Sequence, residues 1–347
     1  MGSFRRVTVD RPMAHRSTED RRRFPGIAPR LSLAGPSLRR VCIAVGLVEL
    51  VLIGIGPALF YTHDPDRKPF GLGLALALGG VVLVSLIVQF LAVRSVLGLQ
   101  IKEQRKLREF TKLLDETIEQ ERLRVVFQPI FRASDGAQVG VEALARFDAD
   151  NGMCPESWFV AAHAVGRTQQ LEMLALRLAL RHAADLPQPL YLALNVSPAT
   201  FVSAELRAVI LASPLPKERI ILELTEHVAI DDYGQVIASR QLYREANVRV
   251  AIDDTGAGFS SFRHVIAISP DIIKMDHSLA KGVDEDPLQS GLVAAVLTFA
   301  RSAGIVVIAE GVETTGQLMR LTQLGVDQIQ GHLLGAPVAP PPIVQPL

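Results

Sequence analysis

Hydrophobic and polar positions divide the chain into stretches of different texture. Residues 41–61 form an apolar run interrupted only by Glu49, and residues 70–93 form a second run with no charged side chain. Each reaches the roughly 20 residues a helix needs to cross a hydrocarbon core about 30 Å thick. Uncharged runs of this length are rare in soluble cores, so the pattern predicts two transmembrane helices. A cleaved signal peptide is the alternative for the first run, but the long basic leader and the second run close behind argue against it. The turn between them, residues 62–69, is polar and too short to be a folded sensor. At the centre of its helix Glu49 costs roughly 2.5–3.5 kcal/mol, an expense the surrounding Leu, Val and Ile residues offset.

From residue 94 to 122 the chain turns charged and holds no proline. Leu107, Phe110, Leu114 and Thr117 follow a three-four spacing, which predicts an amphipathic linker helix. Pairing of two such helices would make a homodimer. Beyond Arg122, short runs rich in β-branched residues alternate with helical stretches. The runs are 125–131, 139–147, 190–196, 220–224, 248–252, 271–275, 305–309 and 326–330; the helices include 169–184, 233–245, 288–303 and 315–324. Such alternation implies right-handed crossovers and a mainly parallel sheet. Eight strands in about 225 residues is the size of a TIM-type barrel. Asp135-Gly136 between the first two runs is a hairpin signal, so one strand should be antiparallel. A doubly wound open sheet competes, but no Gly-rich dinucleotide fingerprint follows the first strand. The predicted fold is an α/β, TIM-like (β/α)8 barrel with one antiparallel strand, preceded by a transmembrane helical hairpin and a linker helix. The organisation reads as a disordered basic leader (1–40), two transmembrane helices (41–93), the linker helix (94–122) and a catalytic domain (123–347).

Charge refines this picture. The formal net charge is +0, so nothing global favours nucleic acid, and no DNA or RNA partner is expected. Arginines crowd the leader, and Arg94, Lys102, Arg105, Lys106 and Arg108 follow the second apolar run. By the positive-inside rule both termini and the catalytic domain face the cytoplasm, with the lipid bilayer as a partner. Cys42 and Cys154 are too few and too far apart for a disulfide framework or a metal knuckle.

Polar residues on the strands suggest the chemistry. Glu142 lies in the second run and Asn195 ends the third; Glu223 lies in the fourth, with Glu226 just beyond. Asp253 and Asp254 end the fifth, Lys274 the sixth, Glu310 the seventh and Gln330 the eighth. A barrel brings these ends to one rim, where active sites of this fold lie. So many carboxylates repel one another unless cations neutralise them. The donors are oxygens, with no thiolate and no histidine cluster, which favours Mg²⁺ or Mn²⁺ over zinc. Two such ions clamp an in-line displacement at phosphorus, and Lys274 would orient the water or stabilise charge on the phosphoryl oxygens. The reading from the residues is metal-assisted phosphoester hydrolysis.

The same positions carry a family resemblance. Phe127-Gln128-Pro129-Ile130, Glu142-Ala143-Leu144-Ala145-Arg146, Asn195-Val196-Ser197-Pro198 and Glu223-Leu224-Thr225-Glu226 resemble the EAL-domain signatures in order. Asp253-Asp254, Lys274-Met275-Asp276, Glu310-Gly311-Val312-Glu313 and Gln330-Gly331 continue them. The resemblance implies hydrolysis of cyclic di-GMP to linear pGpG, and the apolar runs are expected to hold the chain at a bacterial inner membrane. It implies that Glu142, Asn195, Glu223 and Asp253 hold one metal, with Asp253 bridging to a second held also by Asp254. Lys274 and Glu310 resemble the groups that position and activate water, and Gln128, Arg146 and Gln330 the substrate contacts. Glu226 resembles the residue that steadies the loop after Asp254, while Ala143 and Leu144 are expected to pack the strand. Thr255, Ala257, Phe259 and His332 depart from the usual family residues, without removing a ligand. The alternative function is a catalytically weak cyclic di-GMP receptor module that signals through partners.

Overall fold

The computed structural model describes residues 68–148, 152–225, 233–255 and 259–339. They fall into two compact units divided between Leu113 and Leu114. Helix α1, Lys68–Glu119, is one uninterrupted helix of 52 residues. Its portion Val82–Glu119 is long and apolar enough to cross a membrane, with a window of mean hydropathy 2.2 and no burial. Leu83, Val84, Phe90 and Leu91 all stand exposed there. The predicted helix over 41–61, with Glu49 and Cys42, lies outside the described residues, as does the leader.

The second unit is a closed barrel with its eight strands in sequence order. β1 (Leu123–Arg132) and β2 (Gln138–Phe147) precede helices α2 (Pro155–Ala164) and α3 (Thr168–His182). Strand β3 (Tyr191–Val196) leads to the one-turn α4 (Pro198–Phe201) and to α5 (Ala204–Ala212). Then come β4 (Ile220–Leu224), α6 (Tyr233–Glu245), β5 (Arg249–Thr255), α7 (Phe259–Ile268) and β6 (Ile272–Met275). The remaining elements among the described residues are α8 (His277–Ala280), α9 (Pro287–Ala303), β7 (Val306–Ala309), α10 (Thr315–Leu324) and β8 (Gln328–Ile329).

β1 runs antiparallel to both its neighbours, and every other pairing is parallel. The cause is local. A parallel crossover needs about a dozen residues or more, and only residues 133–137 separate β1 from β2. Asp135 closes that turn by accepting from the Ala137 N–H at 3.0 Å, and Gly136 takes the φ of 67° that the turn requires. Expected and observed antiparallel strands therefore agree.

Inside the barrel, Ile130, Tyr191, Ala193, Ile221, Ala251, Ile272 and Ile308 make one buried apolar cluster. Side chains two apart on a strand share a face. Two residues beyond Ala193, Ile221, Ala251, Ile272 and Ile308 stand Asn195, Glu223, Asp253, Lys274 and Glu310. The apolar floor and the polar site are thus successive layers of one inward face. Gly140, two before Glu142, is small for a steric reason: a Cβ there would lie 2.4 Å from the Tyr191 ring.

Outside the barrel, Trp158 on α2 is fully buried and stacks on Phe147 with ring centroids 4.4 Å apart. Trp158 belongs to the core, and Phe159 beside it is half-buried. Thr314 and Gln317 close a capping box at the start of α10, and Gly325 ends that helix in the left-handed conformation.

Candidate active site

Lys274, 1% exposed, occupies the middle of the rim. Its Nζ lies 2.7 Å from Glu310 Oε1, 2.8 Å from Glu223 Oε2, 3.1 Å from Asp253 Oδ1 and 3.4 Å from Glu142 Oε2. β2, β4, β5, β6 and the end of β7 each supply one of these charges. Asn195 on β3 donates through Nδ2 to Glu142 Oε1 at 2.7 Å. Gln330 Nε2 donates to Glu142 Oε2 at 2.8 Å and to Gln128 Oε1 at 3.0 Å, and Gln128 Nε2 donates to the Gly335 carbonyl at 3.1 Å. Glu142 is therefore clamped from both sides.

Four carboxylates share one ammonium, and the imbalance shows in their proton affinities. Burial pushes the Glu223 carboxyl well above its ordinary range, and the neighbouring Glu142 and Asp253 push the same way. Burial likewise raises Glu310, to about 8. Glu142 differs: burial would raise it, but Lys274, Asn195 and Gln330 together hold it below the ordinary value. Burial opposes the charge on Lys274, yet Asp253, Glu142, Glu223 and Glu310 hold its ammonium well above the usual range. Desolvated like charges of this kind are neutralised either by protons or by bound cations.

The donor set fits divalent cations. All its oxygens are hard, negative charge exceeds positive, and Glu223 Oε1 is buried with no hydrogen-bond partner among the described residues. The carboxylates here close on the Lys274 ammonium, and among the described residues no three acidic, His or Cys side chains surround a common ion position.

A cavity of about 570 Å³ opens over this cluster, lined among others by Gln128, Glu142, Asp253, Lys274, Glu310 and Gln330. Its size is that of ordinary ligand clefts. Leu144 also lines it, which corrects the expectation that this residue packs the strand: two positions from Glu142, it must share the inward face. Arg146 stands two positions further along β2, half-buried, and donates to the Ala145 carbonyl at 2.8 Å; it is not among the lining residues. Lys281, Gln317, His277 and His332 do line the cavity. Lys281 and Gln317 carried no signal in the sequence, because they lie beyond the strand ends, Lys281 in the turn after α8 and Gln317 on α10. Asp276 caps α8 by accepting from the Ser278 N–H at 2.9 Å. Asp254 lies in β5, and nothing is described of its side chain; Glu226, Gly256, Ala257 and Gly258 lie outside the described residues.

Residues 111–337 match the family model described as EAL domain. This chain belongs to the EAL domain family. Among relatives of the EAL domain, an uncharacterized signaling protein of Caulobacter vibrioides is 34% identical over 239 residues, which cover 67% of this chain and 30% of that protein. The cyclic di-GMP phosphodiesterase PdeL of Escherichia coli is 30% identical over 224 residues, 61% of each chain. The EAL-domain chain thus spans from under a third to about three-fifths of the length of these relatives. Among solved structures, the PaMucR phosphodiesterase in its c-di-GMP complex aligns with a TM-score of 0.60 at 28% identity, covering 66% of this chain and 97% of that one. A manganese and cyclic di-GMP complex of Klebsiella pneumoniae BlrP1 aligns with a TM-score of 0.57 at 28% identity, over 62% of this chain and 56% of that one.

Proposed function

We propose that this EAL domain hydrolyses cyclic di-GMP to linear pGpG with two Mg²⁺ or Mn²⁺ ions, at the cytoplasmic face of a bacterial inner membrane. One observation carries the reading. Glu142, Asn195, Glu223, Asp253, Lys274 and Glu310 come from successive strands to a single rim, with more negative charge than the chain neutralises itself. The phosphodiesterases and nucleotide complexes among its relatives supply the substrate class.

In this reading Glu142, Asn195, Glu223 and Asp253 hold one cation, and Asp253 with Asp254 hold the second. Bound there, the pair would neutralise the phosphodiester and lower the pKa of water. Glu310 takes a proton from the attacking water, which Lys274 helps to orient; Lys274 also balances charge on the phosphoryl oxygens. A bond forms from the water oxygen to phosphorus as the bond to the ribose 3′-oxygen breaks, leaving a 5′-phosphate and a 3′-hydroxyl. Gln128, Arg146 and Gln330 contact the nucleotide, and Glu226 steadies the loop after Asp254. Arg146 would need to turn from the Ala145 carbonyl towards a phosphate, which its paired guanidinium donors suit.

The membrane placement is supported by the apolar helix Val82–Glu119 and its exposed side chains, and by the lysines and arginines that follow residue 93. Homodimerisation belongs to the same proposal. The test is incubation of the purified full chain with cyclic di-GMP and Mg²⁺ or Mn²⁺. The expected product is pGpG, absent in Glu142→Ala; nucleotide binding without product under either metal would favour a receptor module instead.

A further inference from the structure

Glu172 stands on α3, outside the barrel, yet it is only 8% exposed. Its neighbours on that helix, Leu171, Met173 and Leu174, are buried apolar residues. An acid in such a place persists only with hydrogen-bond donors to satisfy it. Glu172 accepts from the Ser197 N–H at 3.2 Å and the Ser197 hydroxyl at 2.8 Å, with the Thr200 hydroxyl as a further donor. Ser197 is the first residue beyond β3 and caps α4, its oxygen accepting from the Thr200 N–H.

This contact bears on the site because Asn195 lies two residues earlier. The strand ladder reaches as far as Val196, whose carbonyl accepts from the Thr225 N–H at 3.2 Å. At Ser197 the backbone leaves the ladder, and its N–H turns outward to Glu172. The direction of the chain at the end of β3 is therefore set from one side by the sheet and from the other by a buried carboxylate. Asn195 has already committed its Nδ2 to Glu142 Oε1, which leaves its side-chain oxygen as the group available to a cation.

We infer that Glu172 is a positioning residue for the metal site: it fixes the turn after β3 so that Asn195 presents Nδ2 to Glu142 and its oxygen to the cation. This rests on the metal-dependent reading proposed above. An apolar residue at position 172 would pack α3 equally well, but it would leave the Ser197 N–H without an acceptor and its hydroxyl held only through Thr200, so the turn would be free to shift.

The test is Mn²⁺ binding to the full chain in detergent without nucleotide, followed by the electron paramagnetic resonance signal of free Mn²⁺. Glu172→Ala should weaken binding by about 10–100-fold, the range seen when a partner behind a ligand is removed. The Mn²⁺ concentration that half-saturates hydrolysis should rise by the same factor, with turnover largely recovered at saturating metal. Glu172→Gln retains an acceptor for the Ser197 N–H, and the hydroxyl can reverse its bond, so its Mn²⁺ affinity should stay within a few-fold. A Glu172→Ala protein that binds Mn²⁺ as tightly as the unaltered chain, even with a lower melting temperature, overturns the inference. If Glu172→Ala does not fold, Ser197→Ala serves: weaker Mn²⁺ binding supports the inference and unchanged binding overturns it. No Mn²⁺ binding by the unaltered chain would reject the metal-dependent reading itself, and this inference with it.

Discussion

Replacing Lys274 with methionine removes the ammonium from the centre of the rim while keeping a side chain of similar length. The structure allows the cost to be worked out. Lys274 is 1% exposed and has four carboxylate oxygens within 3.4 Å. At an effective dielectric near 20, its pair with Glu142, 3.4 Å away and held in the ionised form, is worth about 5 kcal/mol before desolvation. Part of that returns when lysine is no longer desolvated, and part when the carboxylates left behind take up protons. Removing one partner of a buried ion pair costs about 3–5 kcal/mol in practice, which is the loss expected for Lys274→Met without metal. Divalent cations should narrow the gap, because in the variant they no longer compete with an ammonium for the same oxygens and so stabilise it more than the unaltered chain. Urea unfolding reports this directly. Trp158 is the single tryptophan and is buried beside β2, so its fluorescence follows the barrel. Curves are taken in EDTA and in excess Mg²⁺. A loss below about 1 kcal/mol in EDTA would refute the reasoning, as would a gap that metal leaves unchanged or widens.

Three further outcomes follow from other parts of the domain. Gly331→Ala would place a Cβ 2.2 Å from the Val312 carbonyl oxygen and 2.3 Å from its nitrogen, both backbone atoms, so the segments carrying Gln330 and Glu310 must separate. Hydrolysis should fall by at least about tenfold, and an unaltered rate would contradict this. Trp158→Ala empties a fully buried aromatic site stacked on Phe147, and circular dichroism melts should register a loss of about 3–5 kcal/mol; a loss under about 1 kcal/mol would show that the site collapses freely. The third concerns pH. Glu310, raised by burial to about 8 from an ordinary 4.5, keeps a proton in the folded metal-free domain that the unfolded chain releases. Its stabilising contribution is therefore full below about pH 4.5 and is lost as pH rises through 8. Relative to Glu310→Gln, the unaltered chain in EDTA should lose urea resistance across that interval; a gain would reverse the sign and refute the assignment.

Much of this architecture is legible in the sequence because strands announce themselves by β-branched apolar runs and barrels by their alternation with helices. β4, α6 and α10 coincide with their predicted limits. Discrepancies have physical causes. β5 continues to Thr255, past the predicted end at residue 252, because backbone pairing with β6 persists where acidic side chains interrupt the apolar pattern. β8 shrinks to Gln328–Ile329, since its partners β7 and β1 offer few paired positions. Most of the rim residues could be found because they fall at the end of an apolar run; Asn195, Glu223, Asp253 and Glu310 each follow a buried apolar residue by two positions. Other features leave no local trace. Gln128 is tied to the Gly335 carbonyl, a contact across 207 positions, and Val338 pairs with Phe127; such links exist only after folding. Glu172 reads in the sequence as one more polar residue on an amphipathic helix, and only burial distinguishes it.

The central claim is that the rim carries phosphodiester hydrolysis by water, and isotope labelling of the product tests it most directly. The full chain is incubated with cyclic di-GMP and Mn²⁺ in water enriched in oxygen-18, and the product is analysed by mass spectrometry. The account predicts pGpG with one heavy oxygen on its 5′-phosphate and none in the 3′-hydroxyl, formed by the unaltered chain and not by Glu142→Ala. Unlabelled product, label in the hydroxyl, or equal turnover by Glu142→Ala would contradict it.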